Sequence, residues 1–92
     1  MRVEVTEEDI DRGMRHDPHC CAVARGIHRA VGLHVGDRVS VGSRDCTIQW
    51  GKARFRGEIP DEVGQFIDAF DEGFKVKPFS FELDLIEAGG YG

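Results

Sequence analysis

Residues 46–57 read CTIQWGKARFRG and carry the pattern that decides the fold. The apolar residues Cys46, Ile48 and Trp50 alternate with polar ones, which is the period of a strand with one buried face. Gly51 bends the chain, and the alternation then resumes. Two alternating runs joined by a short turn that contains glycine predict an antiparallel β-hairpin.

Three further segments alternate in the same way. Residues 34–41 lead into a strand whose valines face the core, and residues 42–45 form the turn before the hairpin. These segments together predict a meander of two or three antiparallel strands. Residues 2–5 predict a short first strand, and residues 79–85 predict a last, strongly amphipathic strand with Phe and Leu on its apolar side.

Two helices are marked by their ends and by apolar stripes. Thr6 is a typical N-cap, three acidic residues follow it at the positive end of the helix dipole, and Gly13 ends this first helix. The last helix has Pro60 near its first position and ends at Gly73. It carries the clearest helical stripe of the chain, formed by Val63, Phe66, Ile67 and Phe70.

The helix between them has two competing starts. Asp17 as N-cap with Pro18 at the first helical position fits standard preferences, and a later start near Cys20 also fits. Either start leaves Arg25 and Arg29, four residues apart, on the side opposite the apolar stripe.

These elements follow the order β-α-α-β-β(-β)-α-β and predict an α+β fold. We expect a short antiparallel sheet of four to five strands, packed against two to three helices. A length of 92 residues fits one core, so we expect a single domain at residues 1–88 and a flexible tail at residues 89–92. The side of the sheet that faces the helices is predicted to carry Val3, Val39, Ile48, Phe55, Phe81 and Leu83.

Charge is unevenly distributed along the chain. Residues 1–57 carry +2 and residues 58–92 carry −7, which together give the net charge of −5. This split predicts two surfaces of opposite sign and argues against a generic nucleic-acid binder. Three cysteines, an odd number, fit free thiols in a reducing compartment. The first residues lack a secretory signal and no apolar run could span a membrane, so we expect the cytoplasm.

Five segments carry a resemblance to a known family. They are residues 3–13 (VEVTEEDIDRG), 20–24 (CCAVA), 59–63 (IPDEV), 66–73 (FIDAFDEG) and 76–83 (VKPFSFEL). In these segments, which span nearly the whole chain, it resembles small, mostly uncharacterised proteins of bacteriophages that infect actinobacteria. In that family the cysteine that opens the second helix precedes a proline, where this chain has Cys21. The resemblance therefore favours Cys20 as N-cap. It implies phage origin and a role inside an infected bacterium, and it implies no reaction.

A crowded group of side chains gives weak candidates for metal ligands. They are His16, His19, Cys20 and Cys21. Structural zinc sites commonly use two separated ligand pairs, so we expect no metal site and no cofactor. A thiol at a helix N-terminus can be reactive, but no second motif supports nucleophilic catalysis. The favoured interpretation is therefore that Cys20 caps the helix and that a cysteine packs there as a small apolar group.

A basic stripe is predicted on the exposed side of the sheet. It consists of Arg44, Lys52, Arg54 and Arg56. A row of cations can contact phosphates, but no aromatic residue alternates with it to stack on bases. We expect a solvated face, paired in part with Glu or Asp of a neighbouring strand such as Glu82 or Asp84, and a partner surface is the main alternative.

The last helix supplies an acidic surface. Its residues are Asp61, Glu62, Asp68, Asp71 and Glu72, and Glu58 precedes them. Such a surface can imitate the phosphates of a nucleic acid or dock onto a basic protein. An ordinary exposed helix face is the simpler interpretation.

The chain has none of the short motifs that mark common enzyme sites. It contains no G-x-S-x-G, no H-E-x-x-H and no phosphate-binding loop. We therefore predict no catalytic residues and no enzyme. The leading hypothesis is a small phage accessory protein that binds a host or phage protein in the host cytoplasm, as a monomer or small homodimer and without a membrane. A nucleic-acid-binding module that uses Lys52, Arg54 and Arg56 is the alternative, and a thiol- or metal-dependent enzyme comes third.

Overall fold

A computed structural model describes residues 1–34 and 36–88 of the chain. Within these residues three helices and six strands follow one another, and the predicted α+β class is confirmed. The elements are β1 (Arg2–Val5), α1 (Glu7–Arg12), α2 (Ala22–Val31), β2 (Arg38–Val41), β3 (Asp45–Trp50), β4 (Ala53–Glu58), α3 (Asp61–Asp71), β5 (Phe79–Glu82) and β6 (Leu85–Glu87). The tail predicted at residues 89–92 lies outside the described residues.

The strands form two antiparallel sheets, whereas the sequence predicted one. The larger sheet has the order β2-β3-β4-β6, and its first three strands are the predicted meander. The smaller sheet pairs β1 with β5, with Val3 opposite Phe81 and Val5 opposite Phe79. The four-stranded sheet therefore has the predicted size, and β1 lies outside it.

The single last strand predicted at residues 79–85 is wrong, because the structure divides this segment into β5 and β6. Leu83 exchanges hydrogen bonds with Met1, which extends the β1–β5 ladder by one pair. After Asp84 the chain changes partner, and β6 pairs with β4. The apolar and polar side chains keep alternating through this change, so the sequence pattern shows one strand where the backbone joins two sheets.

The core lies between the inner side of the four-stranded sheet, the helices and β1. Fully or nearly buried members include Val3, Val5, Val23, Ile27, Val39, Val41, Cys46, Ile48, Val63, Ile67, Phe70 and Leu83. Four of the six predicted inner-face residues are among them, and the other two, Phe55 and Phe81, are half-buried against the same cluster. Trp50 is at the end of its strand and stays 41% exposed, although its ring lies 6.0 Å from that of Phe55.

Helix α2 starts later than either sequence-based prediction. Cys21 is its N-cap, and the Cys21 Sγ accepts a hydrogen bond from the Ala24 N–H at 3.4 Å. Asp17 instead accepts from the N–H groups of His19 and Cys20, which forms a polar turn before the helix. The Asp17 start is therefore wrong, and the start at Cys20 is one residue too early.

The outer helices begin and end close to their predicted limits. Thr6 caps α1 in a capping box with Asp9, and Gly13 follows the helix as predicted. Pro60 is the N-cap of α3 rather than its first helical residue. Gly73 follows the end of α3 with φ of 84°, a left-handed conformation that glycine adopts readily.

A buried carboxylate joins α1 to α2. Asp9 is fully buried, and Arg29 holds it with hydrogen bonds of 3.0 and 2.6 Å while also donating to the Glu4 carbonyl of β1 at 2.8 Å. The Arg25 Nε lies 3.4 Å from the same carboxylate. Arg25 and Arg29 therefore face a buried carboxylate, a role that their position opposite the apolar stripe did not indicate.

Candidate protein-binding surface

The side of the four-stranded sheet that faces away from the core is open. Its side chains alternate with the buried ones, so one face of β4 presents Arg54, Arg56 and Glu58, all of them exposed. The register aligns Arg56 with Thr47, and it aligns Arg54 with Gln49. We call this surface the open face.

One end of the open face is basic. Gln49 lies between Arg38 on β2 and Arg54 on β4, so the two guanidinium groups flank it. Lys52 is in the turn that joins β3 to β4, at the same end of the sheet. Among the described residues, no carboxylate lies within ion-pair distance of Arg38, Lys52 or Arg54. These three cations are available to a partner.

The middle of the open face holds an ion pair. Arg56 on β4 donates to the carboxylate of Asp45 on the adjacent strand β3 at 2.8 Å. The predicted pairing with a carboxylate of a neighbouring strand is confirmed for Arg56, but that carboxylate belongs to Asp45 of β3, whereas the sequence suggested Glu82 or Asp84. Arg44 lies beside this pair and lines a depression with Arg56, Glu58 and Asp61.

The other end of the open face is acidic. A cleft of about 1050 Å³ lies between β4, the start of α3 and the segment that enters β6. Its carboxylates are Glu58, Asp61, Glu62, Glu82 and Asp84. Arg56 and the exposed side chain of Ile86 also line it. Two stretches far apart in the sequence, residues 56–62 and 82–88, therefore supply one concave, negatively charged surface.

The structure divides the predicted partner-binding residues into two groups. Arg44, Lys52, Arg54, Arg56, Asp61 and Glu62 lie along the open face. Asp68, Asp71 and Glu72 lie at the far end of α3, where Asp71 accepts a hydrogen bond from the His16 N–H at 2.9 Å. The acidic helix is thus not one continuous surface, since its two ends face different neighbours.

The four weak metal-ligand candidates are separated in pairs. His19 and Cys20 line a depression together with Arg12, Arg25 and His28, whereas His16 and Cys21 line another beside Asp71. Within residues 1–34 and 36–88, no group of three or more His, Cys, Asp or Glu side chains is arranged to hold a metal ion.

The thiols differ in their surroundings. Cys20 is exposed, whereas Cys21 and Cys46 are buried. Burial raises the pKa of Cys21 and raises that of Cys46 to about 11, which keeps both in the protonated, less nucleophilic form. Cys21 therefore packs in the core and caps α2, whereas the sequence had assigned the cap to Cys20.

Sequence reasoning missed three members of the open face. Arg38 alternates with Val39 and could have been placed on the exposed side by the same rule that placed Arg54. Glu82 and Asp84 were considered only as partners of the basic stripe. Their place in the acidic cleft depends on the pairing of β6 with β4, for which the local sequence carries no signal.

The chain matches no family model, no curated protein and no solved structure. No helix in the part of the chain that the structure describes has the length and apolarity needed to cross a membrane.

Proposed function

We propose that this chain is a non-catalytic bacteriophage protein that acts in the host cytoplasm by binding a host or phage protein through its open face. The observation that supports this proposal is the segregation of charge on one uncovered sheet surface, basic at Arg38 and Arg54 and acidic around Asp61 and Asp84. A partner with the opposite arrangement of charges would be oriented by both ends at once.

Electrostatic complementarity of this kind acts mainly on the rate and the orientation of association. Each exposed ion pair adds little stability, and salt screens it. Several pairs at fixed positions on a rigid sheet nevertheless reject partners whose charges are arranged differently. Apolar contact is available at Ile86, which is 72% exposed beside the acidic cleft.

Capture from a bacterial lysate tests the proposal with two matched variants. The variant Arg38→Glu with Arg54→Glu reverses the basic end, and Lys75→Glu with Lys77→Glu makes the same change in net charge elsewhere on the surface. We expect a protein that the wild type and the lysine variant capture at low salt, and that the arginine variant loses. Equal capture by the two variants, or no specific partner at any salt concentration, would contradict the proposal.

The second candidate function is nucleic-acid binding, which one observation favours. Arg38 adds a fourth exposed cation to the row of Lys52, Arg54 and Arg56, so the basic end is wider than the sequence indicated. A gel shift that disappears in the variant with Lys52, Arg54 and Arg56 changed to Ala would support this function. The absence of a shift at low salt would exclude it.

A further inference from the structure

Two sheet edges of this fold are covered by other parts of the chain. Along the free side of β2, the Val39 carbonyl accepts a hydrogen bond from His19 Nδ1–H at 2.8 Å, and the Val41 N–H donates to the Pro18 carbonyl at 2.9 Å. On β1, the Glu4 carbonyl accepts from Arg29 at 2.8 Å. Covered edges of this kind do not pair with another strand.

Within residues 1–34 and 36–88, no other part of the chain covers the free side of β6 in this way. Ile86 is opposite Arg56, and the Ala88 N–H donates to the Arg54 carbonyl at 2.8 Å, so the even-numbered residues face β4. By the alternation of an antiparallel ladder, the N–H and C=O groups of Leu85 and Glu87 point away from it. Among the described residues, the N–H groups of Leu85 and Glu87 make no backbone hydrogen bond on that side.

The residues around this edge determine which side chains an added strand should carry. Glu82 and Asp84 precede β6 and line the acidic cleft together with Glu58, Asp61 and Glu62. A strand laid beside β6 would direct alternate side chains toward these carboxylates. Lysine or arginine at those positions would be complementary, and Ile86 would contact the strand's aliphatic carbons.

We propose that β6 binds an extended cationic segment of the partner protein as an additional strand of the four-stranded sheet. This inference rests on the proposed function and names the kind of segment that the acidic end recognises. Main-chain hydrogen bonds to Leu85 and Glu87 supply affinity, and the carboxylates of the cleft select positive side chains.

A second copy of this chain is a poorer occupant of the same edge. Two β6 strands paired antiparallel about a two-fold axis at Ile86 would place Glu87 of each copy beside Asp84 of the other. Like charges opposite one another destabilise paired strands. The charge of this edge thus favours a basic partner over self-association.

Hydrogen exchange with a short alternating Lys-Val peptide provides the test. We expect the peptide to bind and to slow the exchange of the Leu85 and Glu87 amides, while a Glu-Val peptide does neither. Glu87→Pro removes an N–H that points away from β4, so the β4–β6 ladder is retained. This variant should bind the peptide about tenfold more weakly than the charge control Glu87→Gln, since a main-chain hydrogen bond and access to the edge are lost.

Methylation of the peptide nitrogens gives the same test without altering the protein. Only alternate peptide amides face β6, so methylation of either the lysine or the valine nitrogens should abolish binding, and methylation of the other set should not. Equal binding of the two methylated peptides would overturn strand addition. So would a lack of binding, or binding that leaves both protein amides unprotected. Capture that still depends on Arg38 and Arg54 would then leave the proposed function standing.

Discussion

Arginines in two regions of this protein have opposite roles. Arg29 reaches over the buried Asp9, and its guanidinium donates to that carboxylate and to the Glu4 carbonyl. Arg38 and Arg54 stand on the open face without an acidic partner among the described residues. Burial and the presence of an acidic neighbour, rather than residue type, therefore decide whether a charge stabilises the fold or remains available for binding.

The largest expected effect on stability comes from removing the buried charge of Asp9. Asp9→Asn removes the negative charge that Arg25 and Arg29 face, and it leaves their positive charges with a neutral neighbour. We expect a loss of about 3 kcal/mol in the free energy of unfolding, measured by urea denaturation. Asp11→Asn, an exposed change in the same helix, is the control and should alter stability by less than about 0.5 kcal/mol. Similar losses in the two variants would show that Asp9 is not the link between α1 and α2.

The free energy of unfolding should also depend on pH through the lowered pKa of Asp9. Burial alone would raise the pKa of Asp9, but hydrogen bonds from Arg29 and Thr6 outweigh it and lower the pKa from 3.8 to about 2. Because the folded state holds the proton less tightly than the unfolded state, this contribution is present above pH 3.8 and is lost as the pH falls toward 2.

The free energy of unfolding of the wild type should therefore fall by about 2 kcal/mol more than that of Asp9→Asn between about pH 5 and pH 2. Urea denaturation at several pH values measures this difference. Parallel pH profiles for the two proteins would mean that Asp9 has an ordinary pKa in the folded state.

The smallest effect concerns the ion pair in the middle of the open face. Arg56 and Asp45 are 63% and 44% exposed, so solvent screens their contact of 2.8 Å. A double-mutant cycle with Arg56→Ala and Asp45→Ala should give a coupling energy of about 0.5 kcal/mol that decreases in high salt. A coupling energy as large as the effect of Asp9→Asn would remove the distinction between the two regions.

The sequence predicted those features that depend on local periodicity. The hairpin of β3 and β4, the stripe of α3 and the cap at Thr6 all follow from neighbouring residues, and the structure confirms them. The sequence did not reveal that Asp9 links α1 to α2, because an acidic residue in the first turn of a helix is already explained by the helix dipole. Only the packing of α2 against α1 brings Arg29 over it.

The sequence predicted only part of the open face. Alternation places Arg54 and Arg56 on one side, and it would equally have placed Arg38 there. The acidic cleft requires knowledge of which strands pair. Residues 79–85 alternate through the change of partner, so the division of residues 79–87 between β1 and β4 depends on contacts between residues far apart in the sequence.

Site-specific photo-crosslinking in bacterial cells tests the central claim most directly, namely that the open face is the protein-binding surface. A photoreactive residue is placed at Thr47, in the middle of the open face, and in a second protein at Asp11, which is exposed on α1. We predict that the protein with the residue at position 47 forms a discrete crosslinked product with another protein, and that position 11 does not. The same product from both positions, or a product from position 11 alone, would contradict it.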